Sequence, residues 1–313
     1  MIDLLRKNGP FYKANLHCHT TNSDGRMTAA EVKDWYQSHG YSIVGFTDHS
    51  NYLPHPELQS EDFLAIYGFE GAFICKDPKT KNKKYKCCHL NFWAADPEHC
   101  VYTPEEFTYD VGVINRYIAK MKAGGWLCGL NHPSWSLQTS EEINSIRGID
   151  SFEVYNHHSY VLDNNGEDQA NYAIYLREGN RAWCTATDDN HSDGDDTLGG
   201  YIQISMPGLT YENFVKAFRA GSFYASSGPE FKNLYIDEER DMLVMDCSPV
   251  AHVLVKGVHT VRAFRLASTQ DDITHAEVPL APIREIEPHF RVEIATKDML
   301  RAYAQPYWFD DEL

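Results

Sequence analysis

The sequence predicts an α/β fold followed by a small β-sandwich-like domain. Between residues 14 and 228, short apolar runs of strand length alternate with longer segments of helical pattern, an alternation typical of α/β proteins. After residue 230 the helical pattern is weak and short β-like runs predominate. A chain of 313 residues is long enough for two domains, which we place at 1–229 and 230–313, and for closure of the first into a barrel.

The first strand, helix and strand are marked by local signals. Residues 14–19 end a short strand, and the segment "MTAAEVKDWYQSHG" follows with Thr28 and Glu31 in the spacing of a capping box. Gly40 ends this helix, and the apolar run "YSIVGF" (41–46) has the length of a strand. Because a helix connects the two strands, we expect them to pair in parallel.

The same alternation continues to residue 221. A helix is predicted over 103–125, with Thr103 as its N-cap, Pro104 in its first turn and Glu106 completing a capping box. The lysine-rich segment 76–86 is predicted to be a solvated hairpin tip. The remaining predicted strands are 126–130, 151–155, 182–187 and 201–206, and the remaining predicted helices are 140–148, 165–179 and 210–221.

Composition argues against several classes of protein. A formal net charge of −17 disfavours a general binder of nucleic acid or other polyanions, so we expect no long nucleic acid as a partner. The chain has no apolar stretch long enough for a membrane span and no secretory signal at its N-terminus, so we expect no membrane partner and a cytoplasmic location. None of the eight cysteines forms a CxxC pair, which favours reduced thiols.

Two histidines at the end of the first strand indicate a metal site. In "NLHCHTTNSDG", His17 and His19 are two positions apart, so on a strand both imidazoles face the same side. Cys18 points to the opposite face and is predicted to be a core residue. Asp24 lies in the following turn, where Gly25 permits a tight backbone.

Six more candidate ligands lie at the ends of later predicted strands, where sites form in α/β folds. They are His49, Glu70, His89, His132, Asp189 and His191. Each alone is more often a hydrogen-bonded core residue, but nine such groups in one cleft without metal would leave like charges and unpaired imidazoles together, which is costly. Nitrogen and oxygen ligands without cysteine favour Mn, Fe or Zn, and nine ligands exceed the needs of one ion. Two or three clustered divalent ions suit hydrolysis.

The ordered motifs "HCHTTNSDG", "TDH", "FE", "HLNFW", "NHP" and "DDNH" resemble those of the polymerase and histidinol phosphatase (PHP) superfamily over residues 14–228. The resemblance implies a distorted (β/α)7 barrel with a trinuclear metal centre at the C-terminal ends of its strands. It implies that His17, His19, Glu70 and Asp189 hold a first ion. It also implies that the same residues hold a metal-bridging hydroxide, which acts as the nucleophile. Glu70 would bridge to a second ion at His89 and His132, and a third would lie at Asp24, His49 and His191.

The resemblance extends more loosely beyond the metal motifs. The "EVYN" stretch and the "FYASSGP" junction, with a small β domain after them, resemble a two-domain branch of PHP-like hydrolases. Within the motifs, "DDNH" offers two aspartates; D-x-H spacing favours Asp189 as the ligand and leaves Asp188 behind it. Asp48 either orients His49 or caps the next turn.

Four residues are candidates for substrate contact. Arg26 follows the Asp24 turn and could reach a phosphate, although a surface arginine is the simpler interpretation. His157 and His158 follow a predicted strand and would lie on the rim of the site. Trp135 comes just after "NHPS" and either walls the pocket or packs as an ordinary buried aromatic.

Three functions are compatible with these residues. The first is a metal-dependent phosphoesterase that hydrolyses a small phosphorylated metabolite, either a phosphomonoester or a phosphodiester. The second is a hydrolase of a non-phosphate ester, such as a lactone or carbamate, with the same metal centre. The third is a non-catalytic metal-binding module whose β domain recognises a partner, which the complete ligand set disfavours.

Overall fold

The structure is a computed structural model that describes residues 1–76, 79, 84–103 and 108–310. Within these residues it contains seven α-helices and eighteen strands. The helices are α1 (Ala29–Ser38), α2 (Val111–Ala123), α3 (Ser140–Ser145), α4 (His157–Asp163), α5 (Gln169–Arg177), α6 (Tyr211–Ala220) and α7 (Ala281–Arg284). The strands are β1 (Ile2–Asp3), β2 (Phe11–Asn15), β3 (Ile43–Phe46), β4 (Leu64–Lys76), β5 (Lys84–Ala94), β6 (Trp126–Asn131), β7 (Ser151–Asn156), β8 (Trp183–Thr187), β9 (Tyr201–Ser205), β10 (Phe223–Ser226), β11 (Phe231–Asp237), β12 (Met242–Val250), β13 (His252–Lys256), β14 (Phe264–Ala267), β15 (Ile273–Pro279), β16 (His289–Ala295), β17 (Arg301–Tyr303) and β18 (Tyr307–Trp308).

One compact unit consists of Tyr12–Tyr201 together with Leu209–Tyr211. Its strands lie in the order β2-β3-β4-β5-β6-β7-β8 in a mixed sheet. Strands β2, β3 and β4 pair in parallel, as do β6, β7 and β8, whereas β5 is antiparallel to both of its neighbours. The predicted parallel pairing of the first two strands is therefore confirmed. An isolated parallel bridge between Cys18 and Asn190 also brings the segments that follow β2 and β8 side by side.

The long hairpin of β4 and β5 departs from the parallel alternation that the sequence predicts. The two strands pair in antiparallel register, with Phe69 opposite Phe92. They approach so closely that a Cβ on Gly68 would lie 2.6 Å from the carbonyl oxygen of Phe92, so this position requires glycine. Most of the solvated tip predicted over 76–86 lies outside the described residues.

Local capping signals explain where the first two helices begin. Thr28 and Glu31 form the predicted capping box at the start of α1. Helix α2 begins at Val111 rather than near residue 104, because the Asp110 side chain accepts a hydrogen bond from the backbone N–H of Val113. The predicted cap at 104–106 lies outside the described residues. Among the helices described, none has the length and apolar content needed to cross a membrane.

Three of the strands that lead to the polar clusters are buried along their whole length. Every residue of β3, β6 and β7 is buried, which matches their nearly continuous apolar sequences. Large aromatic side chains such as Phe46, Phe92 and Phe152 are almost fully inaccessible to solvent. This packing fixes the ends of the strands and therefore the positions of the polar residues that follow them.

The second compact unit consists of Met1–Phe11, Ile202–Gly208 and Glu212–Leu313. It contains a four-stranded antiparallel sheet in the order β1-β11-β12-β15, and a second run of strands in the order β14-β13-β16-β17-β10-β9. Side chains from both groups of strands, including Leu234, Val253 and Phe290, share one apolar cluster. The described residues after 230 contain strands β11 to β18 and the short helix α7. A sandwich-like domain with its boundary at 229/230 stays a prediction.

Candidate metal centre

All nine predicted ligands come together in the first unit, beside the ends of its strands. His17 and His19 follow β2, which ends at Asn15 rather than at residue 19. His49 follows β3, and His132 follows β6. Glu70 lies within β4 and His89 within the antiparallel β5. Asp189 and His191 follow β8, and Asp24 lies in the turn after the first histidine pair.

Asp189 lies between the first two histidines. Its Oδ1 is 3.0 Å from Nε2 of His17 and 3.0 Å from Nε2 of His19. Nε2 of His17 is also 3.3 Å from Oε1 of Glu70. His17, His19 and Asp189, which come from two segments of the chain, form a group that one cation could contact.

Glu70 is the centre of the cluster and is fully buried. Its Oε1 lies 3.0 Å from Nδ1 of His89 and 3.4 Å from Nε2 of His132. Its Oε2 lies 2.7 Å from Nδ1 of His49. The Asn131 side-chain amide donates to Oε1 at 2.7 Å, which orients the carboxylate between these histidines.

Asp24 forms the solvent-facing edge of the cluster, with its side chain 57% exposed. Its carboxylate oxygens lie 3.5 Å from Nε2 of His49, 3.5 Å from Nε2 of His191 and 3.8 Å from Nδ1 of His19. These four residues form a second group that could hold a cation, nearer to solvent than the first.

The histidines keep both central carboxyl groups ionised despite their burial. Burial alone would raise the pKa of Glu70, but the charges of His89, His17 and His49 hold it well below its usual range. Asp189 behaves in the same way, because His17 and His19 lower its pKa against the effect of burial. Two buried anionic carboxylates therefore face the same space, which attracts cations.

For two of the histidines, burial favours the neutral form that binds metal. Burial lowers the pKa of His19 to about 4, although Asp189 opposes this shift. Burial also lowers the pKa of His89, against the attraction of Glu70. A neutral imidazole offers a nitrogen lone pair, so both side chains are prepared to act as ligands.

Unpaired polar atoms show that the cluster fits divalent cations. Glu70 Oε2, His49 Nδ1 and Asp189 Oδ1 lie within ion-pair distance of other candidate ligands, but these three buried atoms and His89 Nε2 make no hydrogen bond of good geometry among the residues that the structure describes. Buried polar groups are almost always paired, so four such atoms in one cluster need a partner. Oxygen and imidazole nitrogen donors without thiolates suit Mn, Fe or Zn.

The aspartates that precede two of the ligands are engaged elsewhere. Asp188 accepts hydrogen bonds from the Tyr36 hydroxyl at 2.7 Å and from the backbone N–H groups of Leu198, Gly199 and Gly200 at 2.7–2.9 Å. Asp48 accepts from the backbone N–H and hydroxyl of Thr20 and from the Ser23 hydroxyl. Both side chains fix loops that carry ligands, and Asp189 is the aspartate of "DDNH" that faces the histidines.

The four candidate substrate contacts have different surroundings. Arg26 and His158 line a cavity of about 310 Å³ beside the cluster, together with Leu162, His191, Ser192, Asp195 and Asp196. Nδ1 of His158 lies 3.1 Å from the Asp196 carboxylate. His157 is held by the Tyr155 hydroxyl at 2.8 Å and does not line this cavity. Trp135 packs against the ligand His132, with 4.9 Å between ring centroids.

Sequence patterns missed Glu153, which lies on β7 and is 2% exposed. One of its carboxylate oxygens is 3.0 Å from Nδ1 of His17. A lone acidic residue in the otherwise apolar run "SFEVY" was the available signal, because an unpaired carboxylate is rarely buried.

Gly25 is required by the turn that carries Asp24. A Cβ on this residue would lie 2.3 Å from the carbonyl oxygen of His19, and the Gly25 N–H donates to the Thr20 carbonyl. We therefore expect Gly25→Ala to displace the turn at a cost of about 1–3 kcal/mol and to weaken the binding of one ion. Metal titration followed by elemental analysis would measure this loss.

Gly208→Ala is the control, since the atom nearest to a Cβ at this position would be 3.8 Å away. Equal metal content in the two variants would contradict the expectation.

Comparison with known proteins gives distant structural neighbours. No family model matches the chain, and no curated protein matches it. One similar solved structure is from Bifidobacterium adolescentis and is provisionally described as a metal-dependent phosphoesterase. Its sequence is 15% identical to this chain, and the TM-score is 0.42. The match covers 59% of this chain and 88% of the other. Another is an amidohydrolase from Chromobacterium violaceum with bound sulfate and no metal. Its sequence is 15% identical to this chain, the TM-score is 0.42, and the match covers 58% of this chain and 89% of the other.

Proposed function

We propose that this protein is a metal-dependent hydrolase whose substrate is a small phosphorylated metabolite. The observation that carries the proposal is the convergence of nine ligand side chains on one cluster, in which four buried ligand atoms make no hydrogen bond of good geometry within the described residues. The order and spacing of these ligands resemble the PHP superfamily, which supports a distorted (β/α)7 barrel closed at the bridge between Cys18 and Asn190.

The ligand groups support more than one ion. Three overlapping sets of side chains each place their donor atoms within 4.8 Å of one another, and the first two share no residue: His17, His19 and Asp189; His49, Glu70 and His89; and His19, Asp24, His49 and His191. Glu70 and Asp189 each contact several histidines, so they are suited to bridge ions. When bound, divalent ions would stabilise the negative charge that develops on the oxygens of the reacting ester.

The surrounding residues have roles that follow from their positions. Arg26 lines the adjacent cavity and would bind an anionic phosphoryl oxygen. Trp135 covers His132 and His89, at 4.9 Å and 5.6 Å between ring centroids, and would limit the access of water to that side of the cluster. A small substrate is favoured over a long polynucleotide because the net charge is −17.

A second candidate is a hydrolase of a non-phosphate ester such as a lactone or carbamate. The composition of the cavity favours it, because two carboxylates, Asp195 and Asp196, line the same space as the single arginine Arg26. Such a lining attracts a dianionic phosphate less strongly than a cluster of basic residues would.

Removal of metal is expected to abolish turnover, and one experiment tests both candidates. Mn-loaded protein would be incubated with phosphomonoesters and with linear and cyclic phosphodiesters, and products followed by phosphorus NMR with and without chelator. New resonances that disappear with chelator would support the phosphoesterase. No change in this panel, followed by chelator-sensitive cleavage of lactones or carbamates, would support the second candidate.

A folded His17→Ala variant separates an enzyme from a binding module. An enzyme should lose turnover by at least about a hundredfold while its circular dichroism spectrum stays unchanged. Protein that takes up no Mn, Fe or Zn on reconstitution would contradict the metal centre and every function based on it.

A further inference from the structure

The carboxylate of Glu153 is surrounded by four hydrogen-bond donors. Oε1 is paired with Nδ1 of His17 at 3.0 Å and accepts from the Thr187 hydroxyl at 2.5 Å. Oε2 accepts from the backbone N–H of His132 at 2.9 Å and from the Asn156 side-chain amide at 2.9 Å. Each oxygen therefore has two partners.

This pairing argues against Glu153 as a metal ligand. Donor atoms of Glu153, His17 and His132 lie within 4.8 Å of one another, so distance alone would permit an ion there. A carboxylate has about four lone-pair positions, and four donors already occupy them. Glu153 thus has no electron pair free for a cation, and its contribution to the centre must be indirect.

The contact with His17 fixes which ring nitrogen carries the proton. A carboxylate oxygen only accepts hydrogen bonds, so Nδ1 of His17 must be the N–H that donates to Glu153. Nε2 then carries the lone pair, and it faces Asp189 Oδ1 at 3.0 Å and Glu70 Oε1 at 3.3 Å. The hydrogen bond that His17 Nδ1–H donates to Glu153 therefore directs the metal-binding nitrogen of His17 towards the other ligands.

The other oxygen of Glu153 supports two ligands whose backbone is in the left-handed region. His132 has φ of 26° and Asp189 has φ of 54°, conformations that L side chains rarely adopt. Glu153 holds the N–H of His132 directly, and Asn156 donates both to Glu153 and to Asp189 Oδ2 at 3.1 Å. Such conformations persist only where neighbouring contacts hold them. Glu153 holds the backbone of His132 directly, and it reaches the side chain of Asp189 only through Asn156.

We propose that Glu153 is a positioning residue that sets the tautomer of His17 and the backbone position of His132, and that orients the side chain of Asp189 through Asn156. The proposal rests on the metal centre proposed above. It predicts that Glu153, which binds no metal itself, controls the metal affinity of a centre whose ligands come from three segments of the chain. Loss of a hydrogen-bonding partner behind a metal ligand typically lowers metal affinity about 10–100-fold.

The variant that tests this is Glu153→Gln, in which an NH₂ group replaces one acceptor oxygen. We expect Zn²⁺ affinity, measured by competition with a chromogenic chelator, to fall about 10–100-fold. Asp150→Asn is the matched control: Asp150 immediately precedes β7 and also accepts from a backbone N–H, that of Cys128 at 2.8 Å. The control should keep the affinity of the unsubstituted protein.

A second readout needs no substitution at Glu153. Nitrogen NMR of Zn-loaded protein labelled with ¹⁵N-histidine, assigned with His17→Asn, should show a protonated Nδ1 on His17. A His17 ring protonated at Nε2 would overturn the proposal, and this result does not depend on whether Glu153→Gln folds. If Glu153→Gln does fold, a Zn²⁺ affinity equal to that of the unsubstituted protein would also overturn it. Failure of the unsubstituted protein to bind Zn²⁺ would instead contradict the proposed function itself.

Discussion

Glu70→Gln is expected to abolish tight metal binding and to lower turnover by at least about a hundredfold. Glu70 contacts His17, His49, His89 and His132, so its substitution changes the partner of four ligands at once. A neutral amide offers one acceptor oxygen instead of two and adds an NH₂ group that cannot bind a cation. Elemental analysis after dialysis, combined with initial rates at saturating Mn²⁺, would measure both effects.

Glu287→Gln is the matched control for this experiment. Glu287 is also a buried glutamate with a histidine partner, because it accepts from the N–H of Val258 at 2.7 Å and lies 2.9 Å from Nδ1 of His259. It belongs to the other compact unit and to none of the ligand groups. Loss of metal in the control, or retention of metal and turnover by Glu70→Gln, would contradict the assignment of Glu70 as the central ligand.

Asp188→Asn is expected to destabilise the fold by about 3–5 kcal/mol without removing the ligands. Oδ1 of Asp188 accepts from Gly199 and Gly200, and Oδ2 accepts from Leu198 and Tyr36. An asparagine keeps one of these oxygens and turns an NH₂ group towards two buried donors, which leaves them unsatisfied. Urea denaturation of the metal-free protein would measure the change in the free energy of unfolding.

The neighbouring substitution Asp189→Asn provides the comparison. At a temperature where both variants are folded, Asp188→Asn should still bind metal, whereas Asp189→Asn should lose it, because Asp189 Oδ1 faces Nε2 of both His17 and His19 at 3.0 Å. The reverse outcome, with metal lost in Asp188→Asn alone, would show that the roles of the two aspartates are exchanged.

Much of the first unit could be predicted because its signals are local. The capping box of α1 and the short apolar strands are readable within a few residues. A hairpin tip was predicted at 76–86, but the length and register of β4 and β5 could not be, since Gly68 and Gly71 interrupt a long apolar run and the pairing depends on contacts between strands. Helix α4 was missed because seven residues are too few to show helical periodicity.

The candidate ligands were predictable for a related reason, since each follows or lies in an apolar run and belongs to a short motif. What could not be predicted was how the side chains divide their partners. The D-x-H spacing already favoured Asp189 as the ligand, but the partners of Asp188 include three N–H groups at 198–200, which only the folded loop brings near. Likewise, His157 is hydrogen-bonded to Tyr155 and His158 to Asp196. Two adjacent histidines in a sequence give no sign that their side chains have different partners.

The left-handed backbone at His132 and Asp189 has a consequence for how the sequence can change. Each such conformation costs about 1–3 kcal/mol for a residue with a side chain, and glycine at either position would remove that cost. Selection for heat resistance alone would therefore favour glycine at these two positions. The free energy of unfolding would rise, and the metal-binding side chains would be lost. These two positions are where stability and activity trade against each other, so their retention in a lineage reports selection on catalysis rather than on folding.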